Sequence, residues 1–483
     1  MALATTAAPA ETNADARSRS WEQPSGAALT WLTVGAAFLL LGAALTLVTA
    51  IQLVSPGWGT LGPATSIGRL RPVATTIVGF GGLGMIGTGV ALDLARRLGR
   101  APAQLDLLAK AGGALVTLSV AAGSIALLMG HSTGRPGLEL PRLFSVPLAL
   151  GLLLAAAAFF RTMAMRESDD LHPALWHLSA GVLAGPLLLL LGSLPRVAGV
   201  NDEVVRVFAT NGLLLLWLVS LGIGIALYVV PQAARTALYS RRLAAIGFWG
   251  WVAIAPLTGA ARLVSGPAQE WLETIGIASM IALVVPALAV CVNLSKTYTR
   301  RTSLAHPADL RSALLGAALL ALSSVLGAVT AGRTAGDVLH LTVFADGKAE
   351  MMAAGVAGSL ILAGLWHVLP ALSGRRQANP MLAARSTWWL GAGVLLVAAS
   401  LLAAGFVQGA LWTESVREGG TAFTGAGWRV VADSIRPLLW ARVIGQALLL
   451  ATAVLVFQQV LATTAYGEPL DRDDAAHPQA REG

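Results

Sequence analysis

Long apolar runs alternate with short polar, arginine-bearing segments along the whole 483-residue chain. A bilayer core about 30 Å thick needs about 20 residues of helix at 1.5 Å per residue. Runs of that length occur twelve times, at 28–54, 72–95, 108–130, 143–164, 173–195, 206–232, 243–265, 273–295, 310–332, 347–371, 386–408 and 436–462. The pattern predicts an all-α fold, a polytopic membrane bundle of about twelve transmembrane helices. The runs at 72–95 and 347–371 are rich in Gly and Ala, which let helices approach closely in lipid. Residues 1–27 and 463–483 are polar or charged and read as flexible tails around one membrane domain over 28–462. The first 26 residues mix acids and bases around no apolar centre, which speaks against a signal peptide.

Composition sharpens this. Charged residues make up 12% of the chain and hydrophobic ones 55%, with mean hydropathy +0.70. Soluble chains carry about 25% charged residues, so this one cannot cover a water-facing surface of its size. Soluble enzyme, disordered scaffold and nucleic-acid binder are excluded; the lipid bilayer is the first partner. The net charge of +8 fits a membrane protein whose cytoplasmic loops hold Lys and Arg. One set of loops holds fourteen basic residues: Arg96, Arg97, Arg100, Arg161, Arg166, Arg235, Arg241, Arg242, Lys296, Arg300, Arg301, Arg375, Arg376 and Arg385. The other holds eight: Arg69, Arg71, Arg135, Arg142, Arg196, Arg333, Arg417 and Arg429. The richer side, with both termini, is predicted to be cytoplasmic in a multi-pass protein of the cell's inner, cytoplasmic membrane. The single cysteine, Cys291, excludes a disulfide framework and cysteine-based metal sites. Residues 79–89 (GFGGLGMIGTG) look like a dinucleotide loop only superficially, because no strand precedes them and they sit in an apolar run.

Three segments carry a resemblance. Residues 68–76 read GRLRPVATT and enter a Gly-rich span; residues 340–376 read HLTVFADGKAEMMAAGVAGSLILAGLWHVLPALSGRR; residues 224–231 read GIALYVVP, followed by Phe248-Trp249. Together they resemble the catalytic subunit of haem-copper oxidases, especially cytochrome c oxidase subunit I of the cbb type, over about residues 28–462. That resemblance implies a twelve-helix core, oxygen reduction with electrons from cytochrome c coupled to proton movement, and partner oxidase subunits. It also implies two haems and a copper, held by six histidines. The chain departs from the family at all six. The first haem ligand falls on Ala74, and the His-x-His pair falls on Lys348 and Glu350. The copper positions fall on Asn211, Ala261 and Arg262, and the associated tyrosine on Ala255. The sequence contains neither His-x-His nor His-His. Two arginines that the family places near haem propionates have counterparts in Arg69 or Arg71 and in Arg442.

The histidines present are His131, His172, His177, His306, His340, His367 and His477. His172 and His177 point about 140° apart on a helix, and His340 and His367 lie about 40 Å apart along one, so neither pair suits one metal. Each is expected to be an interfacial histidine. No catalytic residue and no metal ligand is predicted, although haem is what the family would bring.

Charges inside spans usually face protein or water and mark function; here they read first as a structural ion-pair network that replaced cofactors, and second as a proton- or ion-conducting polar core. Asp346 and Glu350, four apart, share a face that looks into the former low-spin haem site opposite Ala74. Lys348 points about 200° away from Glu350, toward the former haem–copper site with Asn211 and Arg262. Voids left by lost haems would have to collapse, be refilled by side chains or keep another ligand such as quinone or lipid, and Trp249, Trp251 and Trp366 are candidates for the refilling. The expectation is a degenerate subunit I homologue acting as a respiratory-complex partner or assembly element. The alternatives are a proton or ion transporter using the polar core, and an oxidase with unconventional haem ligation.

Overall fold

A computed structural model describes residues 25–100, 106–167, 170–194, 199–264, 266–302, 306–417 and 425–470. Twelve helices in it are long and apolar enough to cross a membrane: α1 (Gly26–Val54), α2 (Ile67–Gly99), α3 (Asp106–Leu128), α4 (Arg142–Ala164), α5 (Pro173–Ser193), α6 (Val200–Ala233), α7 (Arg241–Leu263), α8 (Glu270–Thr299), α9 (Ala308–Val329), α10 (Phe344–Ser373), α11 (Pro380–Glu414) and α12 (Gly427–Tyr466). They match the twelve apolar runs one for one. The face of the bundle where α1 begins and α12 ends is called the terminal face below, and the opposite one the far face.

Helix ends overrun several hydropathy boundaries, because hydropathy reports where a helix leaves apolar surroundings, not where its backbone hydrogen bonds stop. The drawn boundary at 462 falls inside α12, which runs to Tyr466. Residues beyond it pair with the chain before α11: the Arg376 amide donates to the Glu468 carbonyl at 2.7 Å and the Leu470 amide to the Gly374 carbonyl at 3.0 Å. Residues 463–470 therefore belong to the body of the molecule. The calls on residues 1–24 and 471–483, on Arg196 and on His477 lie outside the described residues.

Three helices form the centre. Their most apolar windows are 83% buried in α2, 83% in α6 and 78% in α10, against 28% in α1 and 33% in α7 and α12. They touch through glycine. A Cβ on Gly364 of α10 would lie 2.7 Å from Val90 of α2 and 2.8 Å from Ile225 of α6, and one on Gly222 of α6 would lie 2.8 Å from Leu360. Each of the three also carries a wide-turn π-helical segment: Ile77–Gly84 in α2, Leu213–Val219 in α6 and Met351–Gly358 in α10. Such turns are rare and concentrate at functional sites.

Tryptophan fills part of the centre. Trp217 is buried against Gly84 and Gly185, with its ring stacked on Phe80 at 5.3 Å. Trp251 is fully buried and its indole N–H donates to the Leu215 carbonyl at 3.1 Å. Trp366 is buried as expected, but Trp249 is 69% exposed. Two residues before the inward Trp251, it is turned about 200° around the helix onto the outer surface.

Candidate functional site

A charged cluster lies within the helices near the far face, and small residues position it. A Cβ on Gly405 of α11 would sit 2.2 Å from the Phe344 amide nitrogen, and one on Gly409 would sit 2.0 Å from the Val338 carbonyl. This Gly-x-x-x-Gly face lets the short helix Arg333–Leu339 and the first turns of α10 seat directly on α11. Those turns carry Asp346, Lys348 and Glu350, which point to two sides.

On the first side, Arg71 of α2 donates to Asp346 Oδ1 at 3.0 Å. Both lie inside spans, yet their side chains are 61% and 43% accessible. Glu350, one turn deeper and half-buried, is within electrostatic reach of Arg442, Asp346 and Arg71. The Arg442 Nε is buried and has no hydrogen-bond partner among the described residues. Ala74, one turn on from Arg71, is buried. Asp346 and Glu350 thus stand four residues apart in α10, with Arg71 paired to the first and Arg442 within electrostatic reach of the second. Arg69 goes elsewhere: its Nη1 donates to the Leu128 carbonyl at 2.8 Å and caps the C-terminus of α3, where a cation complements the helix dipole.

On the second side, the Lys348 ammonium donates to Thr330 Oγ1 at 3.2 Å and lies 5.7 Å from the centre of the Phe344 ring. Arg262 is within its electrostatic reach. Arg262 lies at the end of α7, where the helix tightens into a 3₁₀ stretch over Ala255–Leu263, beginning beside Pro256. That stretch is clamped: a Cβ on Gly259 would lie 2.8 Å from the Val207 carbonyl of α6, and one on Gly276 of α8 would lie 2.2 Å from the Ala261 nitrogen. Asn211 is buried, and its Nδ2 donates to the Ala255 carbonyl at 2.9 Å and to Thr258 Oγ1 at 3.0 Å. The positions matched to the copper histidine and the tyrosine are therefore in contact, with Asn211 engaged on α7. His340, just outside α10, is held below the ordinary imidazole pKa by burial and then by the cations Lys348 and Arg262.

Two histidines do not behave as interfacial ones. His177 is fully buried, packed edge-on against Phe248 at 5.2 Å, with neither ring nitrogen hydrogen-bonded. It follows the α5 cap by only five residues, but α7 covers it. His367 is largely buried and its Nδ1 lies 2.9 Å from Asp309 Oδ2. Two others fit their surface or cap positions: His172 Nδ1 accepts from the Ala174 amide at the start of α5, and His306 pairs with the Tyr298 hydroxyl at 2.8 Å.

Sequence reasoning missed a second polar cluster at the terminal face. Arg97 pairs with the buried Asp93 on α2, Tyr228 stands 5.5 Å from the His367 ring, and His172 lies 6.5 Å beyond Tyr228. The i, i+4 spacing of Asp93 and Arg97 was the available signal. Nothing local joins His367 to Asp309, 58 residues earlier.

The site does not fit the haem and copper that the resemblance implies. A six-coordinate haem iron needs two electron-pair donors facing each other, and copper needs a cluster of imidazoles. Ala74 and Ala261 have no donor, Arg262 has no lone pair to give, and the Asn211 amide is bound to α7. No group of three His, Cys, Asp or Glu side chains able to hold a metal occurs among the described residues.

Comparison with known proteins agrees with the architecture. Residues 26–448 match the family model described as Cytochrome C and Quinol oxidase polypeptide I. The chain belongs to that family. It is 24% identical over 452 residues to the Cbb3-type cytochrome c oxidase subunit CcoN1 of Stutzerimonas stutzeri, covering 90% of this chain and 94% of that one. It is 23% identical over 454 residues to cytochrome c oxidase subunit 1 of Rhodobacter capsulatus, covering 88% and 83%. In fold it is similar to a haem-copper terminal oxidase solved as a dimer by cryo-electron microscopy, with a TM-score of 0.72, 13% identity, and coverage of 92% of this chain and 84% of that one.

Proposed function

We propose that this chain is a subunit I homologue without redox metals, acting as a membrane-embedded partner or assembly element of a respiratory oxidase complex. The observation that carries the reading is the donor set: Ala74, Asn211, Ala261, Arg262, Lys348 and Glu350 stand at the six matched ligand positions. Trp217 packing supports it, since it fills part of the centre with a protein side chain. The relatives are named as subunits of cytochrome c oxidases, which supports the choice of other oxidase subunits or cytochrome c as partners. The membrane is the cell's inner, cytoplasmic one, with both termini in the cytoplasm. Oxygen uptake by the purified chain with reduced cytochrome c should equal the protein-free background; uptake that scales with the chain overturns the reading. Purified from its native membrane, it should bring oxidase subunits with it in constant ratio; recovery of the chain alone removes the partner role.

A transporter using the same core has less support. From Gly355 to Trp366 every residue of α10 is buried, and no charged side chain occurs between Glu350 and His367. That dry stretch, about 18 Å of helix, separates the charged cluster from the polar cluster at the terminal face. An oxidase with unconventional ligation meets the donor problem already described.

A further inference from the structure

The corner of the terminal face where α7 begins and α8 ends concentrates positive charge on a fixed frame. Residues 234–242 and 293–302 hold six basic side chains, Arg235, Arg241, Arg242, Lys296, Arg300 and Arg301, and no acidic one. Hydrogen bonds join the two segments into one surface. The Tyr239 amide donates to Thr297 Oγ1 at 3.0 Å and the Ser240 amide to Asn293 Oδ1 at 3.0 Å. Asn293 Nδ2 donates to the Ser240 carbonyl at 2.8 Å, and the Thr302 amide to the Ala234 carbonyl at 3.2 Å. Asp170 reaches this surface from the segment before α5 and pairs with Arg241 at 2.6 Å. Arg242, Lys296 and Arg300 are exposed, and none has a carboxylate within ion-pair distance among the described residues. Aromatic rings hold two of the cations in place: the Arg300 guanidinium lies 4.4 Å from the centre of the Tyr239 ring, and that of Arg301 4.3 Å from the centre of the Tyr298 ring.

Towards the membrane from these cations, each helix turns an apolar stripe outward. On α7, Arg242 is followed at helical spacing by Ile246 and Trp249; on α8, Lys296 is preceded by Val292, Leu288 and Val285; all five apolar residues are exposed. The two helices run antiparallel and in contact, for a Cβ on Gly247 would lie 2.8 Å from Val290 and one on Gly250 would lie 3.0 Å from Pro286. That register brings Arg242 and Lys296 to one level. Counted from those contacts at about 100° per residue, both stripes turn to the same side of the helix pair. Cations at the membrane surface above two apolar faces have the outline of a phospholipid, with its phosphate at the cations and its chains along the helices. A charge bias that only sets orientation needs neither the hydrogen-bonded frame nor the ring-held guanidinium.

We propose that this corner is a binding site for an anionic phospholipid. Arg242, Lys296 and Arg300 hold its phosphate, and Ile246, Trp249, Val285, Leu288 and Val292 carry its acyl chains. A negatively charged headgroup is preferred to a zwitterionic one, because the surface offers cations to a phosphate but no free carboxylate to an ammonium: Asp170 is taken by Arg241. The inference is independent of whether metals are bound.

The test immobilises the full chain in neutral detergent, washes it free of lipid, and offers equal amounts of phosphatidylglycerol and phosphatidylcholine with identical acyl chains. Phosphatidylglycerol should be retained in about fivefold excess or more, and the excess should shrink as sodium chloride is raised, because exposed charges are screened. Arg242→Gln, Lys296→Gln and Arg300→Gln together should abolish the excess. Arg100→Gln, Arg161→Gln and Arg385→Gln together, which remove the same charge elsewhere on the terminal face, should leave it in place. Ile246→Ser with Val292→Ser should lower retention of both lipids. Equal retention of the two lipids by the wild type, an excess that survives the first triple substitution, or one lost equally with the second overturns the site. So does full displacement by an equal concentration of glycerol 3-phosphate, which would mean that the chains add nothing, and so does retention of a glutamate-rich peptide in place of phosphatidylglycerol, which would give the cations to a protein partner. Should the first triple variant not fold, its three single substitutions decide: each should lower the excess about twofold or more, and no change in any of them overturns the site.

Discussion

Trp217 shows how a single side chain takes over structural work at the centre. Its indole is seated where Gly84 and Gly185 leave no side chain, and Phe80 stacks on it. Trp217→Ala should cost about 3–5 kcal/mol in unfolding free energy, the usual price of deleting a buried aromatic; a loss below about 1 kcal/mol would mean that the site collapses around the gap. The sequence displayed the charges of this core but not this tryptophan, because a Trp in an apolar run looks the same whether it faces lipid or the core. Trp249 and Trp251 make the same point, being two residues apart and facing opposite ways. Arg71 was legible only as one of two choices. Its pairing with Asp346 across 275 residues follows from α2 meeting α10, which no local pattern reveals. Because the pair is accessible, its coupling in an Arg71→Gln, Asp346→Asn double-mutant cycle should be at most about 1 kcal/mol. A coupling of several kcal/mol would show that water does not reach it.

Helices are what the chain declares most openly, since a run of about 20 apolar residues has few other uses. Their internal irregularities are not declared. The π-helical segments of α2, α6 and α10 begin three, two and one residues after Ala74, Asn211 and Glu350, the positions matched to metal ligands. The backbone geometry around those positions is thus special even though the donors are absent. Contact between helices can be tested through two glycines with opposite surroundings. Gly276→Ala forces a methyl group to within 2.2 Å of the Ala261 nitrogen, and should destabilise by about 1–3 kcal/mol. Gly79→Ala meets nothing within 4 Å, and should stabilise α2 by about 0.5–1 kcal/mol through helix propensity alone. Equal effects in thermal unfolding would contradict the described packing of α7, α8 and α2.

At the scale of the whole molecule, twelve spans and their order were readable, and the charged residues near the far face separated as helical geometry predicts. The terminal-face cluster was not readable, because His367, Asp309, Tyr228 and Asp93 come from four helices. The proposed orientation rests on the fourteen-to-eight arginine and lysine bias between loop sets. With native Cys291 replaced by Ser, a cysteine at exposed Ser132 should react with a membrane-impermeant maleimide on intact cells, and one at exposed Thr299 only after lysis. The reverse pattern would invert the topology. The central claim is that this member of the oxidase family holds protein charge where its relatives' pattern calls for metal ligands. A reduced-minus-oxidised absorption spectrum of the purified chain, with haem counted per polypeptide, tests it most directly. The account predicts no haem bands above trace; b-type bands at one or two haems per chain would contradict it.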